Sequence, residues 1–250
     1  MEEPDRYGSS GRRVLMTEVV VLAGGRGTRL EPYTTVLPKP LMPVGDMPVL
    51  EILVRRLAGA GLRTVHLAVG HLAELIEAFF GDGSRFGVEL RYWREIDPLG
   101  TAGPLAEIET TSPTVLVMNG DLLTTLDFRA FLADHAESGA SATVGVHQRD
   151  VPIDYGVVKL DGSTIVGFEE KPTLSYMISM GVYAFERDAI ELVPPRKFDF
   201  PDLVHAMLER GLTINAHVSP AFWLDIGRHE DYELANRSFE QLRAELIPPE

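Results

Sequence analysis

The sequence predicts an α/β fold with a doubly wound, Rossmann-like mixed sheet, and three observations support this. Apolar runs typical of buried strands alternate with segments of helical spacing through the first 150 residues. The chain has 250 residues, 45% of them hydrophobic, which suits one large domain or two small ones with packed cores. Beyond residue 150 the strands follow one another with little helix between them, which predicts a small antiparallel extension.

The first half supplies the regular alternation of strands and helices. Strands are predicted at residues 17–23, 64–70, 87–93, 113–121 and 141–147. Helices are predicted at residues 49–61, 71–80, 101–109 and 128–139, although Gly103 and Pro104 confine the regular part of the third. The first strand is apolar on both faces, as expected at the centre of a parallel sheet. Pro48 suits a helix start, Gly61 a helix end and Asp127 a helix N-cap.

The second half of the sequence predicts the antiparallel extension of the sheet. Strands are predicted at residues 155–162, 163–172, 177–186 and 213–218, and helices at 199–210 and from 229 to about 245. The sequence shows no internal repeat and no Gly/Ser-rich linker, so residues 17–250 are expected to form a single domain. Residues 1 to about 16 are polar with mixed charges, and we expect them to be a disordered lead-in.

Composition excludes several classes of function. The net charge of −14 argues against binding to nucleic acid or to an anionic membrane surface, where a basic face supplies the attraction. No apolar stretch approaches the ~18 residues of a membrane span, and the amino terminus lacks the apolar core of a signal peptide. The sequence contains no cysteine, which rules out disulfides and thiolate metal sites. A cytoplasmic location is expected.

A glycine-rich loop, AGGRGTRLEPYTTVLPKPLMPVG, covers residues 23–45 after the first predicted strand. Ligands of open α/β sheets bind at the carboxyl ends of the strands. Gly24, Gly25 and Gly27 permit positive φ angles and let backbone N–H groups approach a phosphate closely. The loop contains neither the Walker A motif nor the dinucleotide fingerprint, since Leu30 stands where that fingerprint needs glycine.

The same loop carries three cations suited to a small polyanion. Arg26 and Arg29 can grip phosphate oxygens, and arginine can do so in bidentate fashion. Lys39 lies between Pro38 and Pro40, which limit the freedom of the backbone around it and so present its ammonium at a lower entropic cost. The loop therefore predicts a phosphate site in an otherwise acidic protein.

Motifs along nearly the whole chain, from residue 17 to about 240, resemble those of the sugar-1-phosphate nucleotidyltransferases, also called NDP-sugar pyrophosphorylases. The matching segments are LAGGRGTRLEPYT with LPKPLMPVG (22–45), EIDPLGTAGPL (95–105), VMNGD (117–121), DYGVV (154–158), EEKP (169–172) and FWLDIG (222–227). LGTAGPL is most similar to the GDP-mannose pyrophosphorylase or guanylyltransferase branch. The resemblance implies a nucleotide-binding part at 17–149 and a sugar-phosphate-binding part at 150–250.

The resemblance implies that a sugar 1-phosphate, or a cyclitol 1-phosphate, attacks the α-phosphorus of a nucleoside triphosphate and releases pyrophosphate. The attacking oxygen is already anionic at neutral pH, so no general base is needed. The protein has to bring two polyanions together and neutralise charge, which calls for cations and for Mg²⁺ as the cofactor. These two substrates are the expected partners, and a homo-oligomer is left open.

By this resemblance, Arg29 braces the α-phosphate and Lys39 holds the β/γ portion or the transferring phosphoryl group. Asp121 is catalytic and, with Asp225, binds the metal. Asp121 ends a buried strand and Asp225 lies in the apolar segment FWLDIG, where a carboxylate is costly unless it is paired or bound to a cation. Mg²⁺ commonly uses one or two carboxylates with phosphate oxygens and water.

The remaining predicted residues contact the substrates. The nucleotide set is Leu22, Ala23, Gly24, Gly25, Gly27, Thr28, Glu95, Gly100 and Thr101. Glu95 favours GTP, because a carboxylate accepts from both the N1–H and N2–H₂ donors of guanine, whereas adenine presents an acceptor at N1. Lys171 is expected to bind the sugar phosphate and Glu170 the sugar hydroxyls, helped by the backbone at Gly156 and Gly181.

Alternatives remain at this point. UTP or ATP could replace GTP, and Glu95 could be a plain surface residue. A metal-dependent glycosyltransferase that uses finished nucleotide sugars is a second candidate, and a non-catalytic nucleotide-sugar sensor is a third. The sequence ends at Glu250 after one predicted helix, so we do not expect the left-handed β-helix domain common in GDP-mannose pyrophosphorylases. The identity of the sugar is therefore also open.

Overall fold

A seven-stranded mixed sheet forms the centre of the structure, a computed structural model that describes residues 17–247. The predicted lead-in at residues 1–16 lies outside the described residues. The strands are β1 Glu18–Ala23, β2 Pro43–Val44, β3 Met47–Pro48, β4 Thr64–Val69, β5 Glu89–Arg94, β6 Thr114–Asn119, β7 Leu122–Thr124, β8 Ala142–Pro152, β9 Val157–Asp161, β10 Thr164–Glu169, β11 Thr173–Glu186, β12 Ile214–Val218 and β13 Trp223–Asp225. The α-helices are α1 Val49–Gly59, α2 Ala73–Phe80, α3 Phe128–Ser138, α4 Arg187–Ile190, α5 Phe200–Glu209 and α6 His229–Leu246.

The strand order β12-β8-β11-β6-β1-β4-β5 confirms the predicted doubly wound mixed sheet. Strand β1 pairs in parallel with β4 on one side and with β6 on the other, and β4 pairs in parallel with β5. Strand β11 runs antiparallel to both of its neighbours, and the other six strands run in one direction. The chain thus winds both ways from β1, which places a ligand crevice at the carboxyl ends of β1 and β6.

Both faces of the central strand are buried, as its apolar sequence predicts. Val19 and Val21 face a core that contains residues of α1, α2 and α3, whereas Val20 faces a second core that contains residues of α5. All three side chains are at most 1% exposed. Burying one such side chain contributes about 1.5–3 kcal/mol, so this strand is a rigid support for the loop that follows it.

One predicted helix is wrong in kind. Residues 101–109 form only the short 3₁₀ turn Gly103–Ala106. Gly103 has a low helical preference and Pro104 has no N–H to donate, so the segment forms only this short turn. The backbone N–H groups of Ala102 and Gly103 both donate to the carbonyl oxygen of Phe198, each at 3.0 Å, which holds the turn against the second half of the chain.

The antiparallel extension is present and projects from the main sheet. Strands β8 and β11 are longer than predicted and pair as far as Pro152 and Thr173, and β9 and β10 form a hairpin beyond them. We call residues 151–177 the arm. Among the described residues, nine of the sixteen exposed large hydrophobic side chains lie in the arm. The arm therefore has little core behind it.

Candidate active site

A cavity of about 740 Å³ opens at the carboxyl ends of β1, β4, β5 and β6. Thirteen residues predicted for catalysis, metal binding or nucleotide binding line it: Leu22, Ala23, Gly24, Gly25, Gly27, Thr28, Arg29, Lys39, Glu95, Gly100, Thr101, Asp121 and Asp225. Residues nearly 200 positions apart in the chain thus meet in one cleft. The cavity lies at the edge of the sheet where ligands of open α/β folds bind.

The glycine-rich loop is shaped by one glycine in particular. Gly27 has a φ of 65°, in the left-handed region, whereas Gly24 and Gly25 do not have positive φ. A Cβ atom on Gly27 would lie 2.9 Å from Cγ2 of Thr34, whose hydroxyl donates to the Gly27 carbonyl oxygen. Only glycine fits this position without strain. The following turn buries Leu30 and leaves Arg29 exposed at the cavity.

A second glycine, absent from our sequence prediction, braces the loop from the end of β4. A Cβ atom on Gly70 would lie 2.8 Å from the carbonyl oxygen of Gly24 and 3.2 Å from its Cα. The backbone N–H of His71 donates to the same Gly24 oxygen at 3.3 Å. Both Gly70 and His71 line the cavity. Their place after a buried strand is the signal that could have revealed them.

The predicted metal ligands and the predicted triphosphate lysine are in direct contact. Lys39 Nζ donates to Oδ2 of Asp121 and, at 3.3 Å, to Oδ1 of Asp225. Asp121 lies between β6 and β7, and Asp225 ends β13 opposite Leu122 of β7. The Ile226 N–H also donates to the Asp121 carbonyl oxygen at 3.2 Å. The short ladder between β7 and β13 therefore holds the two carboxylates side by side.

The electrostatics of this pair suit a cation. Burial raises the pKa of the Asp121 carboxyl above its ordinary value; the Lys39 ammonium opposes this shift and the Asp225 carboxylate adds to it. The described residues contain no cluster of three or more His, Cys, Asp or Glu side chains that could hold a metal ion. Two carboxylates fit Mg²⁺ provided that phosphate and water supply its other ligands.

Glu95 lies against the glycine-rich loop at the wall of the cavity. Its Oε1 accepts from the Leu99 N–H at 2.7 Å, and its Oε2 lies 2.8 Å from where a Cβ atom on Gly24 would be. The backbone N–H of Glu95 donates to the Val69 carbonyl oxygen at 2.8 Å. The carboxylate is thus held at the cavity wall, and its lone pairs can accept from a bound base.

Residues from the second half of the chain hold the loop at Gly100 and Thr101. Asp199 Oδ1 accepts from the backbone N–H of Thr101 at 2.8 Å and from its hydroxyl at 3.1 Å. The Phe198 N–H donates to the Leu99 carbonyl oxygen at 2.8 Å. Sequence reasoning missed this anchor, because Asp199 also caps α5 and reads as an ordinary helix start.

A second cavity, of about 360 Å³, adjoins the first and shares Arg29 and Asp225 with it. Its other lining residues are His147, Gln148, Arg149, Asp150, Trp223, Leu224, Gly227, Arg228, Asp231 and Leu234. The Trp223 Nε1–H donates to the Met180 carbonyl oxygen at 2.7 Å, which fixes the indole beside the His147 ring. The sequence analysis did not identify this mostly polar pocket.

The predicted sugar-phosphate residues lie apart from both cavities. Gly156, Glu170 and Lys171 are exposed residues of the arm, and none of them lines either cavity. A Cβ atom on Gly156 would lie 3.0 Å from Glu170 Oε2, so those two are neighbours. Gly181 lies behind Asn119, a residue of the first cavity, because its Cβ position is 2.5 Å from Asn119 Nδ2.

Comparisons with known proteins place the chain among enzymes of nucleotide chemistry. Residues 18–241 match the family described as Nucleotidyl transferase. A UTP–glucose-1-phosphate uridylyltransferase of Synechocystis sp. is 36% identical over 242 residues, which cover 88% of this chain and 62% of that protein. A mannose-1-phosphate guanylyltransferase of Mycobacterium tuberculosis is 36% identical over 225 residues, which cover 86% of this chain and 62% of that protein. The chain thus spans less than two thirds of either relative.

A solved structure agrees with the sequence matches. HddC from Yersinia pseudotuberculosis, crystallised in complex with GMP-PN, superposes with a TM-score of 0.69 at 27% identity and covers 90% of this chain and 100% of that one. Within residues 17–247, no helix has the length and apolar character needed to cross a membrane. The family match covers most of the sequence and all thirteen predicted residues of the cavity. The chain therefore belongs to the nucleotidyl transferase family.

Proposed function

We propose that the protein transfers a nucleotidyl group from a nucleoside triphosphate, preferably GTP, to a sugar 1-phosphate or a cyclitol 1-phosphate and releases pyrophosphate. One observation carries this proposal: two adjoining cavities share Arg29 and Asp225. The first has the loop and strand ends suited to a nucleotide, and the second has a polar lining suited to a sugar ring. The composition without cysteine also supports a cytoplasmic location.

The chemistry follows from charge and position. A phosphate oxygen of the sugar phosphate forms a bond to the α-phosphorus of the triphosphate. The bond from that phosphorus to the α–β bridging oxygen breaks, and pyrophosphate leaves with the electron pair. No proton has to be removed from the nucleophile, so the site needs no general base. Arg29, at the junction of the cavities, is placed to neutralise charge on the phosphoryl group in transit.

In this proposal the two carboxylates bind the metal, and the glycine-rich loop and Lys39 bind the triphosphate. Asp121 and Asp225 would hold Mg²⁺, which supplies Lewis-acid neutralisation of the phosphates when it is bound. The backbone N–H groups of Gly24 and Gly25 lie at the carboxyl end of β1, where they can approach the triphosphate. Lys39 supplies a further positive charge beside the two carboxylates. All three features support an in-line displacement between two polyanions.

The arm contributes the other substrate contacts in this proposal. Lys171 pairs with the sugar phosphate and Glu170 accepts from sugar hydroxyls, with the backbone at Gly156 on the arm and at Gly181 behind Asn119 as further contacts. The first three lie on the exposed arm, outside both cavities, so they reach a substrate there only when the arm bends toward it. The long two-stranded ribbon of β8 and β11 leaves the sheet at its carboxyl side, and we propose that the arm bends along this ribbon.

GTP is the proposed donor because of Glu95. A carboxylate held at the cavity wall accepts from the two adjacent donors of guanine, and it repels the N1 acceptor of adenine. The relatives include both a guanylyltransferase and a uridylyltransferase, so the base is a separate question from the reaction. A Glu95→Gln variant tests it directly, since the amide can keep the bond from the Leu99 N–H while presenting a donor to the base.

We expect Glu95→Gln to lower kcat/KM for GTP by about tenfold or more relative to UTP, as the loss of one charge-assisted hydrogen bond predicts. Steady-state kinetics with the four triphosphates measure this ratio. Glu89→Gln, a change of an exposed residue on β5, the strand that ends just before Glu95, is the matched control. An unchanged GTP/UTP ratio would remove Glu95 from base selection.

A pyrophosphate-release screen tests the reaction itself. Four nucleoside triphosphates are combined with a panel of sugar and cyclitol 1-phosphates in the presence of Mg²⁺. Pyrophosphate should form with at least one pair, and Asp121→Asn should reduce the rate by about a thousandfold or more. Consumption of a finished nucleotide sugar, with no pyrophosphate from any pair, would favour the glycosyltransferase alternative instead.

A further inference from the structure

Lys39 occupies the space between the two carboxylates. Its ammonium contacts Oδ2 of Asp121 and lies 3.3 Å from Oδ1 of Asp225. The residue is only 9% exposed, although its ammonium is a strongly hydrated group. Within the described residues, the ion pairs of Asp121 and Asp225 are both with Lys39. The lysine thus neutralises the largely buried carboxylate of Asp121 and the partly exposed carboxylate of Asp225 beside it.

The ammonium occupies the position between Asp121 Oδ2 and Asp225 Oδ1 that a metal ion bridging these two oxygens would take. A Cβ atom on Gly227 would lie 3.3 Å from Lys39 Nζ and 3.0 Å from Asp225 Oδ1, so the Gly227 backbone closes one side. Mg²⁺ binds oxygen ligands at about 2.0–2.1 Å and demands near-octahedral geometry. An ammonium and a magnesium ion cannot both occupy the gap between these oxygens.

We infer that Lys39 is an exchangeable counterion: it neutralises Asp121 and Asp225 before a divalent cation binds, and its ammonium moves to the triphosphate when the cation takes its place. The inference rests on the proposed function in treating the two aspartates as metal ligands. It adds that this one lysine couples binding of the cation to binding of the phosphates.

The surroundings of Lys39 permit such an exchange. Pro38 and Pro40 restrain the backbone on either side, so the four-carbon side chain can swing while the chain stays in place. The glycine-rich loop lines the same cavity, so the displaced ammonium has phosphates within reach when a nucleotide is bound. Without a triphosphate, the displaced ammonium would lose its partners. The bare protein should therefore bind divalent cations weakly, and a polyphosphate should strengthen that binding.

Mn²⁺ binding in the absence of nucleotide tests the exchange. Free Mn²⁺ is followed by electron paramagnetic resonance in titrations of the wild type and of Lys39→Met. Removal of the competing ammonium should tighten Mn²⁺ binding by about tenfold or more, within the usual range of coupling between sites. Arg29→Met is the matched control: it removes a cation from the same cavity, and among the described residues Arg29 forms no ion pair with either aspartate.

Two further measurements keep the test decisive. Lys39→Gln keeps hydrogen-bond donors toward the carboxylates and removes the charge, so it should also tighten Mn²⁺ binding if the methionine variant is too unstable to purify. Inorganic tripolyphosphate should strengthen Mn²⁺ binding in the wild type by a larger factor than in either lysine variant. Unchanged or weaker Mn²⁺ binding in both variants would overturn the exchange.

The outcomes separate this inference from the proposed function. Pyrophosphate release by the wild type together with unchanged Mn²⁺ binding in the lysine variants would leave the function standing and refute the exchange. Tighter Mn²⁺ binding in the variants, with no pyrophosphate from any substrate pair, would support the exchangeable lysine and refute nucleotidyl transfer.

Discussion

The first cavity, which is proposed to bind the nucleotide, and the arm differ in how closely their residues are packed. The cavity lies at the ends of strands whose central residues, such as Val20 and Val117, are at most 1% exposed and packed in the core. The arm consists of strands paired mainly with one another, and nine of its large hydrophobic side chains are exposed. A two-stranded hairpin without a core is marginally stable on its own. Side chains at the cavity are therefore held more firmly than those of the arm.

The β9–β10 hairpin of the arm has one apolar and one charged face, and both are exposed. Val158 pairs with Phe168 and Leu160 with Ile165, and these four side chains form one apolar face that is 41–65% exposed. Lys159 and Glu169 are on the other face, 4.0 Å apart. The proposed nucleotide contacts are therefore organised before the substrate arrives, whereas the proposed sugar contacts depend on where the arm lies. Substitutions in the two regions should then affect different kinetic constants.

Among the variants that distinguish the cavity from the arm, the largest effect is expected at the junction of the two cavities. Arg29→Gln should lower kcat by about 100- to 1,000-fold, because the residue is proposed to neutralise charge that develops in the transition state. The melting temperature should not change, since the side chain is exposed. Steady-state kinetics and a thermal melt measure the two quantities. A kcat within about threefold of the wild type would show that Arg29 does not neutralise charge in the transition state.

A smaller effect is expected on the arm. Lys171→Gln should raise KM for the sugar phosphate by about 10- to 100-fold, as loss of a hydrogen bond to a charged group predicts, and leave KM for the triphosphate unchanged. Lys159→Gln is the matched control, because Lys159 is exposed on the same arm and pairs with Glu169. Equal effects of both variants would show that the arm responds to charge in general and that Lys171 has no special role.

The smallest effect concerns the amino end of the rigid sheet, away from the cavity. Burial lowers the pKa of His66 below its ordinary value, although the Glu18 carboxylate 3.1 Å away pulls it upward. Burial would raise the pKa of Glu18, but hydrogen bonds from Thr111 and His66 outweigh it and hold that pKa below its ordinary value. Unfolding exposes both groups to water.

The sign of the pH dependence follows from these directions. The unfolded chain binds more protons at His66 than the folded protein does, so stability should fall as pH drops below about 6.5. Glu18 contributes a further loss only at more acidic pH, below its ordinary pKa. His66→Gln can keep a donor toward Glu18 and should flatten the fall in melting temperature between pH 8 and 5.5. An equally steep fall in that variant would assign the pH dependence to other groups.

Much of the fold was predictable from local sequence. The alternation of apolar runs and helical spacing located every strand of the main sheet, and Asp127 does cap α3 by accepting from the N–H groups of Arg129 and Ala130. The glycine-rich loop was predicted from residue types that suit phosphate at a strand end, and the two aspartates from motifs that resemble those of the sugar-1-phosphate nucleotidyltransferases. Each of these signals depends on residues close together in the sequence, and the carboxyl ends of parallel strands are where ligands of such sheets bind.

Tertiary contacts decided the rest. Phe198, nearly 100 positions away, accepts two N–H groups at the start of residues 101–109 and so fixes where this short turn lies. The second cavity and the anchor at Asp199 bring together distant parts of the chain, and the local sequence of one part does not predict its contact with the other. The sequence by itself thus determined which residues are proposed to bind phosphate and metal. Only packing decided that Lys39 lies between the two aspartates, because a contact between positions 39, 121 and 225 depends on how three distant segments meet around the sheet.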